Sequence, residues 1–323
     1  MYDVIIIGLG IAGYTAAIYN ARYKLNTFLV GAEAGGMGNT AAEVGNWPGE
    51  IEIRGPELMD KFKAHAESFK DQVTLKIAYV KDVMKIDDST GLTTGGGFRV
   101  LMEGNESVDG KTIIFATGSN KRHLGIPGET EFAGKGVTYC ATCDAFFYKN
   151  KTVAVIGGGD SAVEGAAIAA QVAAKVYLVH RKSSFRAEPF WVEKVKEKKN
   201  VEFVLERNVL EILGDKKVTG IKLDQPWNGS TGLTTGGSDT LAVDGVFIEI
   251  GSNPAIELPK KLGCEIDALG FLKVDEAQRA SVPGVFGAGD LTSASNHFAQ
   301  FTTAAGEATV AANSAFNYLQ SGK

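Results

Sequence analysis

The sequence predicts an α/β protein with two domains of similar topology, and three observations carry that expectation. The largely β-branched run Tyr2–Ile7 passes straight into Gly8-Leu-Gly10-Ile11-Ala12-Gly13 and then into a helical pattern. The run Lys151–Ile156 does the same through Gly157-Gly-Gly159-Asp160-Ser161-Ala162. An octet, STGLTTGG, occurs at 89–96 and again at 230–237, both times between strand-like stretches. At 323 residues the chain is long enough for two hydrophobic cores.

An apolar run without alternation is the pattern of a strand buried on both faces of a parallel sheet. After it, Gly8 permits a tight turn, Gly10 lets backbone approach a pyrophosphate, and Gly13 lets helix and strand pack closely. The helix N-terminus adds positive partial charge for the phosphates. Between a strand and a helix this spacing therefore reads as a dinucleotide site. The next strand, Asn26–Val30, ends just before Glu33, placed twenty residues after Gly13, where a ribose-binding carboxylate is expected.

Gly35-Gly36-Met37-Gly38 and Asn46-Trp47-Pro48-Gly49 read as turns. Residues 55–69 form a helical pattern with Leu58, Met59, Phe62 and Phe69 apolar. Strand-like stretches at 73–78, 83–86, 98–102 and 112–115 are expected to form an antiparallel insertion. Ala116-Thr117-Gly118 marks the point where the chain leaves the first domain. The two octets are polar and Gly-rich and read as solvated hairpin loops.

Next comes Cys140-Ala-Thr-Cys143-Asp144. The only other cysteine is Cys264, so a four-cysteine zinc site within the chain is excluded and no metal is expected. Two cysteines at this spacing can close a small disulfide ring, and the adjacent Asp144 can donate or accept a proton. Structural thiols, or half a metal site shared with another chain, fit the same spacing.

The second fingerprint calls for a second dinucleotide, and one of the two is expected to be a flavin. Its next strand, Lys175–Val179, ends in His180-Arg181-Lys182, with Arg186 close behind. An acid here would select the free 2′-hydroxyl of NAD, whereas cations accommodate the 2′-phosphate of NADP. Charge-assisted contacts worth about 1.5–3 kcal/mol each make two of them roughly a hundred- to ten-thousand-fold preference. Val246–Ile250, followed by Gly251-Ser-Asn-Pro254, reads as the return crossing. Gly284–Asp290 reads as a strand ending in Gly289-Asp290, where a carboxylate meets a ribitol hydroxyl or a water near phosphate. A last helix is expected over about 298–319, its positive N-terminus favouring an anionic reduced flavin.

Other features read as bland. Cys264 lies in strand-like LGCEID as a small core residue, His65, His123 and His297 lack ligand spacing, and Glu193–Lys199 is a solvated helix face. Apolar residues at 44% and charged residues at 22% are ordinary for a soluble globular chain. A net charge of −5 leaves no basic footprint for nucleic acid. No apolar run reaches membrane-spanning length, and the N-terminus lacks the basic region of a signal peptide. Three cysteines make no disulfide framework, so a cytoplasmic protein is expected.

With these motifs in order, the chain resembles the low-molecular-weight, bacterial and archaeal type of thioredoxin reductase over essentially its full length. The resemblance rests on Gly8–Gly13, Asn46–Gly49, Ala116–Gly118, Cys140–Asp144, Gly157–Ala162, His180–Arg186, Gly287–Asp290 and Gln300–Gly306. It implies a homodimer with two Rossmann-like, three-layer ββα domains per chain. A discontinuous FAD domain, residues 1–117 and 250–323, would hold an inserted NADPH domain, residues 118–249, that carries the cysteine pair. FAD would be held by Gly8, Gly10, Ile11, Ala12, Gly13, Glu33, Gly35, Gly36, Met37, Asn46, Ala116, Thr117, Gly118, Gly289, Asp290, Gln300 and Phe301. NADPH would be held by Gly157, Gly159, Asp160, Ser161, Ala162, His180, Arg181, Lys182, Arg186 and Gly251. The resemblance further implies that Cys143 takes electrons from the flavin, Cys140 attacks thioredoxin or a thioredoxin-like protein, and Asp144 moves protons. Domain rotation would hinge near Gly118 and Gly251. The same fold with ferredoxin or NADH as donor, or another protein partner, is the alternative. Three positions depart from the family pattern: Met37-Gly38 for Gln-Leu, Asn253-Pro254-Ala255 for the Pro-Asn order, and Ala299 for an Arg before Gln300.

Overall fold

Val4 and Ile6 point to one side of the first strand and Ile5 and Ile7 to the other, and all four are buried, as an apolar run without alternation requires. The structure, a computed structural model, describes residues 1–41, 43–86, 96–229 and 238–321. It divides into two units, Met1–Asn120 with Asn253–Lys323, and Lys121–Ser252.

In chain order the first unit contains β1 (Tyr2–Ile7), α1 (Ile11–Arg22), β2 (Thr27–Gly31), α2 (Gly55–Glu67), β3 (Val73–Ile77), β4 (Val80–Ile86), β5 (Gly97–Met102) and β6 (Ser107–Phe115). A connecting strand, β7 (Ser119–Lys121), leads to β8 (Val137–Thr138), α3 (Ala141–Asp144), β9 (Thr152–Ile156), α4 (Asp160–Ala169), β10 (Lys175–His180), α5 (Pro189–Lys196) and β11 (Val201–Leu205). Then follow β12 (Val209–Gly214), β13 (Val218–Trp227), β14 (Ser238–Ala242) and β15 (Gly245–Ile248). The chain returns through β16 (Ser252–Pro254), which pairs with β7, to α6 (Glu257–Lys261), β17 (Val285–Gly287) and α7 (Phe301–Gln320).

The first unit's sheet runs β3-β2-β1-β6-β5-β4, with β17 also on β6. One face packs on α1, α2 and α7, where Ala16, Ala17, Ala308, Ala311, Ala312 and Ala315 keep the helices close. The other face buries Phe28, Phe98, Val100, Phe115 and Leu272. The expected antiparallel insertion needs correction at both ends. β3 pairs parallel with β2, and Thr112–Phe115 is the inner end of β6, parallel to β1 and β17. Only β4, β5 and the outer end of β6 are antiparallel. A nine-residue strand can change partners along its length, and its last four residues are fully buried.

The second unit has a parallel sheet, β11-β10-β9-β15-β8. Val153 and Val155 of β9 face α4, while Ala154 and Ile156 face Ile212, Ile221 and Leu241 of the antiparallel β12-β13-β14 sheet. Sheet, sheet and helix make the three layers of a Rossmann-like ββα domain.

Two local readings also change. The last helix begins at Phe301, not near 298, because Ser295, Asn296 and His297 take positive φ and Gln300 closes a capping box with Thr303. Cys264 follows α6 outside any strand, though it is buried. The octets lie outside the described residues, except Gly96. No helix among the described residues is long and apolar enough to cross a membrane.

Gly13 and Gly10 are one motif with opposite tolerances. A Cβ on Gly13 would stand 1.9 Å from the Gly8 carbonyl oxygen, whereas one on Gly10 meets nothing within 4 Å. Gly13→Ala should cost on the order of 3 kcal/mol of stability in urea unfolding, and Gly10→Ala less than about 1 kcal/mol.

Candidate active site

The first cradle forms around the N-terminus of α1. Gly8 takes φ +128°, and a Cβ there would lie 2.0 Å from the Ala116 carbonyl oxygen, so only glycine lets the turn press against the end of β6. Gly10 caps α1 without any side-chain hydrogen bond, and Ile11, Ala12 and Gly13 make the first turn. Gly35 and Gly36 both have positive φ, and a Cβ on Gly36 would lie 3.6 Å from the Gly10 Cα. Gly289, at φ +85°, sits against Ala12 and Ala304, and Asn46 Nδ2 donates to Gln300 Oε1 at 3.0 Å. The structure thus gathers 8–13, 35–36, 116–118 and 289–290 around one helix end, with Phe301 opening α7 beside Gly38. Gly38 leaves room that Met59 and Phe301 occupy. Glu33 is exposed two residues beyond β2, and Met37 is exposed. Thr117 Oγ1 donates to the Ala255 carbonyl at 2.8 Å, and the Gly118 carbonyl accepts from Ala255 N at 2.9 Å.

Sequence reasoning missed Glu307 in this unit. It is buried, accepts from Gly289 N at 2.7 Å and Thr292 Oγ1 at 2.9 Å, and its charge adds to burial in pushing the Asp290 carboxyl up. A lone acid inside the apolar AAGEATVAA run was the available signal. A recess beside Asp290 is lined by Phe271, Thr292, His297, Phe298, Thr303 and Glu307. His297 is half-buried, a packing residue whose Nε2 meets Asp267 at 2.9 Å.

The second cradle repeats the first around α4. Gly157 takes φ +148° and abuts the Glu249 carbonyl, Ala162 packs beside it, and Gly159 caps the helix with open space beyond it. Asp160 accepts from Glu188 N at 2.6 Å, and Ser161 is exposed. His180 lies over Gly158 and stacks on Phe185, and Arg186 N donates to the Gly158 carbonyl at 2.7 Å. Burial, then the nearby Arg181, Lys182 and Arg186 charges, lower the His180 pKa, so the ring is neutral at pH 7. The three cations are exposed. Gly251, at φ +93°, accepts from Arg122 N. In both cradles an uncapped helix end faces a glycine with free space beyond, which suits a pyrophosphate.

The cysteines lie in the second unit. Cys140 and Cys143 form a disulfide across a Cα–Cα distance of 5.3 Å, with Cys140 half-buried at the N-cap of α3 and Cys143 exposed. Cys143 N donates to Cys140 Sγ at 3.2 Å. The Thr138 hydroxyl donates to Asp144 and accepts from Cys140 N at 3.2 Å. Among the described residues no group of three or more His, Cys, Asp or Glu is placed to hold a metal ion.

The model of the pyridine nucleotide-disulphide oxidoreductases matches residues 2–310. The chain belongs to that family. A thioredoxin reductase of Listeria innocua is 39% identical over 99% of this chain and 94% of its own length. A glucosaminate ammonia-lyase of Pseudomonas fluorescens is 38% identical over 98% and 95%. The solved thioredoxin reductase of Lactococcus lactis superposes with a TM-score of 0.88 at 35% identity, covering 99% and 100% of the two chains.

Tyr139, which precedes Cys140, belongs to a network the sequence did not announce. Glu129, 2% exposed, accepts from Leu124 N at 3.0 Å, Gly125 N at 2.6 Å and Tyr139 Oη at 2.9 Å, with His123 Nδ1 at 3.2 Å. Burial pushes this carboxyl up, but those donors outweigh it and hold it below its ordinary range. Burial and Glu129 push the Tyr139 phenol up to about 12. His123, an exposed residue, joins this network from the surface through Glu129 and Tyr139.

Burial pushes the Cys264 thiol up to about 11, so at pH 8 roughly one molecule in a thousand is thiolate there. Iodoacetamide should label Cys140 and Cys143 in the reduced native protein and Cys264 only after denaturation. Because folded Glu129 titrates below its ordinary value of 4.5, its contribution is present above that value and lost as pH falls through the folded pKa. Glu129→Gln should cost about 1.5–3 kcal/mol at pH 7, and its unfolding curves should converge with wild type only as pH falls below 4.5 and through the folded pKa.

Proposed function

We propose that the chain is a thioredoxin reductase in which electrons pass from NADPH through FAD to the Cys140–Cys143 disulfide and on to thioredoxin. A relative of nearly equal similarity bears the name of an ammonia-lyase, so likeness alone does not select the reaction. The observation that carries it is the formed Cys140–Cys143 disulfide, reachable from solvent and next to a held carboxylate.

When bound, NADPH supplies a hydride and FAD accepts it and passes an electron pair to a disulfide. The residues around the α1 N-terminus, from Gly8–Gly13 to Gly289-Asp290 and Gln300-Phe301, hold FAD in the unit made of residues 1–117 and 250–323. Gly157–Ala162 hold the NADPH pyrophosphate in the unit of residues 118–249, and Arg181, Lys182 and Arg186 receive its 2′-phosphate. Reduction adds two electrons and two protons to the disulfide and gives two thiols. Cys140 ionises and attacks a disulfide sulfur of the partner, and Cys143 then displaces the reduced partner and restores the ring. The Cys143 N–H aimed at Cys140 Sγ stabilises the Cys140 thiolate, which supports Cys140 as the attacking residue. Asp144, fixed by Thr138, takes and returns the proton. A homodimer working in the cytoplasm completes the reading, the compartment supported by only three cysteines in the chain.

The deciding experiment is steady-state thioredoxin reduction with NADPH and NADH. Wild type should prefer NADPH, and Arg181→Ala should raise the KM for NADPH roughly ten- to a hundred-fold while leaving NADH unchanged. Anaerobic NADPH should bleach the flavin and titrate two reductant equivalents per chain, one for flavin and one for disulfide. Thioredoxin turnover that survives Cys143→Ser would sink the mechanism.

A further inference from the structure

Glu249 is a carboxylate only 6% exposed, and its partners meet at one point of the second unit. It follows directly on β15. Its Oε1 accepts the Ala141 N–H at 3.1 Å, and its Oε2 meets Lys121 Nζ at 2.9 Å. Its carbonyl oxygen lies so near the second fingerprint that a Cβ on Gly157 would come within 2.2 Å. A Cβ on Gly165 of α4 would stand 2.9 Å from Ala141 Cβ and 3.8 Å from Glu249 Cγ. One residue therefore touches the redox helix, the nucleotide-binding turn and the helix that turn opens.

The Ala141 N–H belongs to the peptide bond that leaves Cys140. Whatever holds that N–H holds the backbone on which the Cys140 sulfur is carried. An ionised carboxylate is a costly choice for the task, because burial opposes its charge unless a partner and hydrogen bonds offset it. Burial does push this carboxyl up, against the pull of Lys121 and Ala141 N. A glutamine would accept the same N–H without that cost, so the charge itself calls for a purpose.

We infer that Glu249, with Lys121 as its counter-ion, is a positioning residue for the Cys140–Cys143 disulfide that also sets the charge a reduced Cys140 faces. The inference rests on the disulfide-reductase reading above and extends it to the poise of the dithiol. Reduction adds two electrons and two protons, and loss of one proton leaves the attacking thiolate. A fixed carboxylate hydrogen-bonded to the N–H of the residue after Cys140 disfavours that negative charge, while Lys121 offsets it. Neutralising Glu249 leaves Lys121 uncompensated, so the reduced form gains.

The test uses the full-length FAD-loaded protein and its Glu249→Gln and Glu249→Ala variants. Each is equilibrated at pH 7 with mixtures of reduced and oxidised dithiothreitol, alkylated, and counted by mass for free Cys140 and Cys143. In Glu249→Gln the equilibrium constant should shift about tenfold toward the dithiol, which is about 30 mV for a two-electron couple. Glu249→Ala, which also loses the acceptor for Ala141 N, should lower kcat for thioredoxin at least tenfold with KM within twofold of wild type. A Glu249→Gln equilibrium within twofold of wild type overturns the inference, since a merely structural role would leave the potential in place. If Glu249→Ala does not fold, Glu249→Gln decides alone, because the amide keeps shape and acceptor. The equilibrium needs neither NADPH nor thioredoxin. A wild type that equilibrates with dithiothreitol yet shows no NADPH-driven turnover therefore overturns the proposed function, not this inference.

Discussion

A glycine at positive φ pressed against a neighbouring carbonyl is the contact on which each half of this protein depends. In the first unit Gly8 meets Ala116, and in the second Gly157 meets Glu249. Any Cβ at either glycine would lie within about 2.2 Å of a backbone oxygen, so neither contact survives another residue. Each carbonyl closes a central strand, β6 or β15, beside the strand that feeds the turn. The turn can then aim its helix at open space instead of at protein. Both contacts also fall just before the chain crosses between units. The strand end that braces a glycine turn is thereby the strand end that leads into a connection.

Charge is handled by the same economy. Glu129, Glu249 and Glu307 are all buried, and each carboxylate accepts at least one backbone N–H from a turn or helix start. Glu129 anchors the 123–125 turn and the Tyr139 that precedes Cys140. Glu249 anchors the redox helix, and Glu307 anchors Gly289 next to Asp290. Buried carboxylates of this kind carry several hydrogen bonds at once, which is how their desolvation is offset. The loops they hold would otherwise leave unpaired donors in the interior.

Much of the fold was legible in the sequence, for a physical reason. β1 and β9 lie under helices on one side and packed side chains on the other, so their apolar runs announce both burial and parallel pairing. The glycine spacings announce the turns because at Gly8, Gly13 and Gly157 sterics leave no room for a side chain. The antiparallel arm was harder. β3 is short, β6 is polar at one end and apolar at the other, and which neighbour each takes depends on the whole sheet. The start of α7 was misplaced because three consecutive residues at positive φ, Ser295 to His297, show no glycine to reveal them.

By itself the sequence determined the two strand–turn–helix cradles, the cations after β10 and the redox pairing that a spacing of three makes available. These are local: every requirement is met within about thirty residues. Tertiary structure decided the rest. Ala141 meets Glu249 across 108 positions, Asn46 meets Gln300 across 254, and Gly289 meets Glu307 through a turn and a helix end. Whether an acid is a solvated surface group or a buried anchor is settled by what packs over it, and that packing joins residues no local pattern connects.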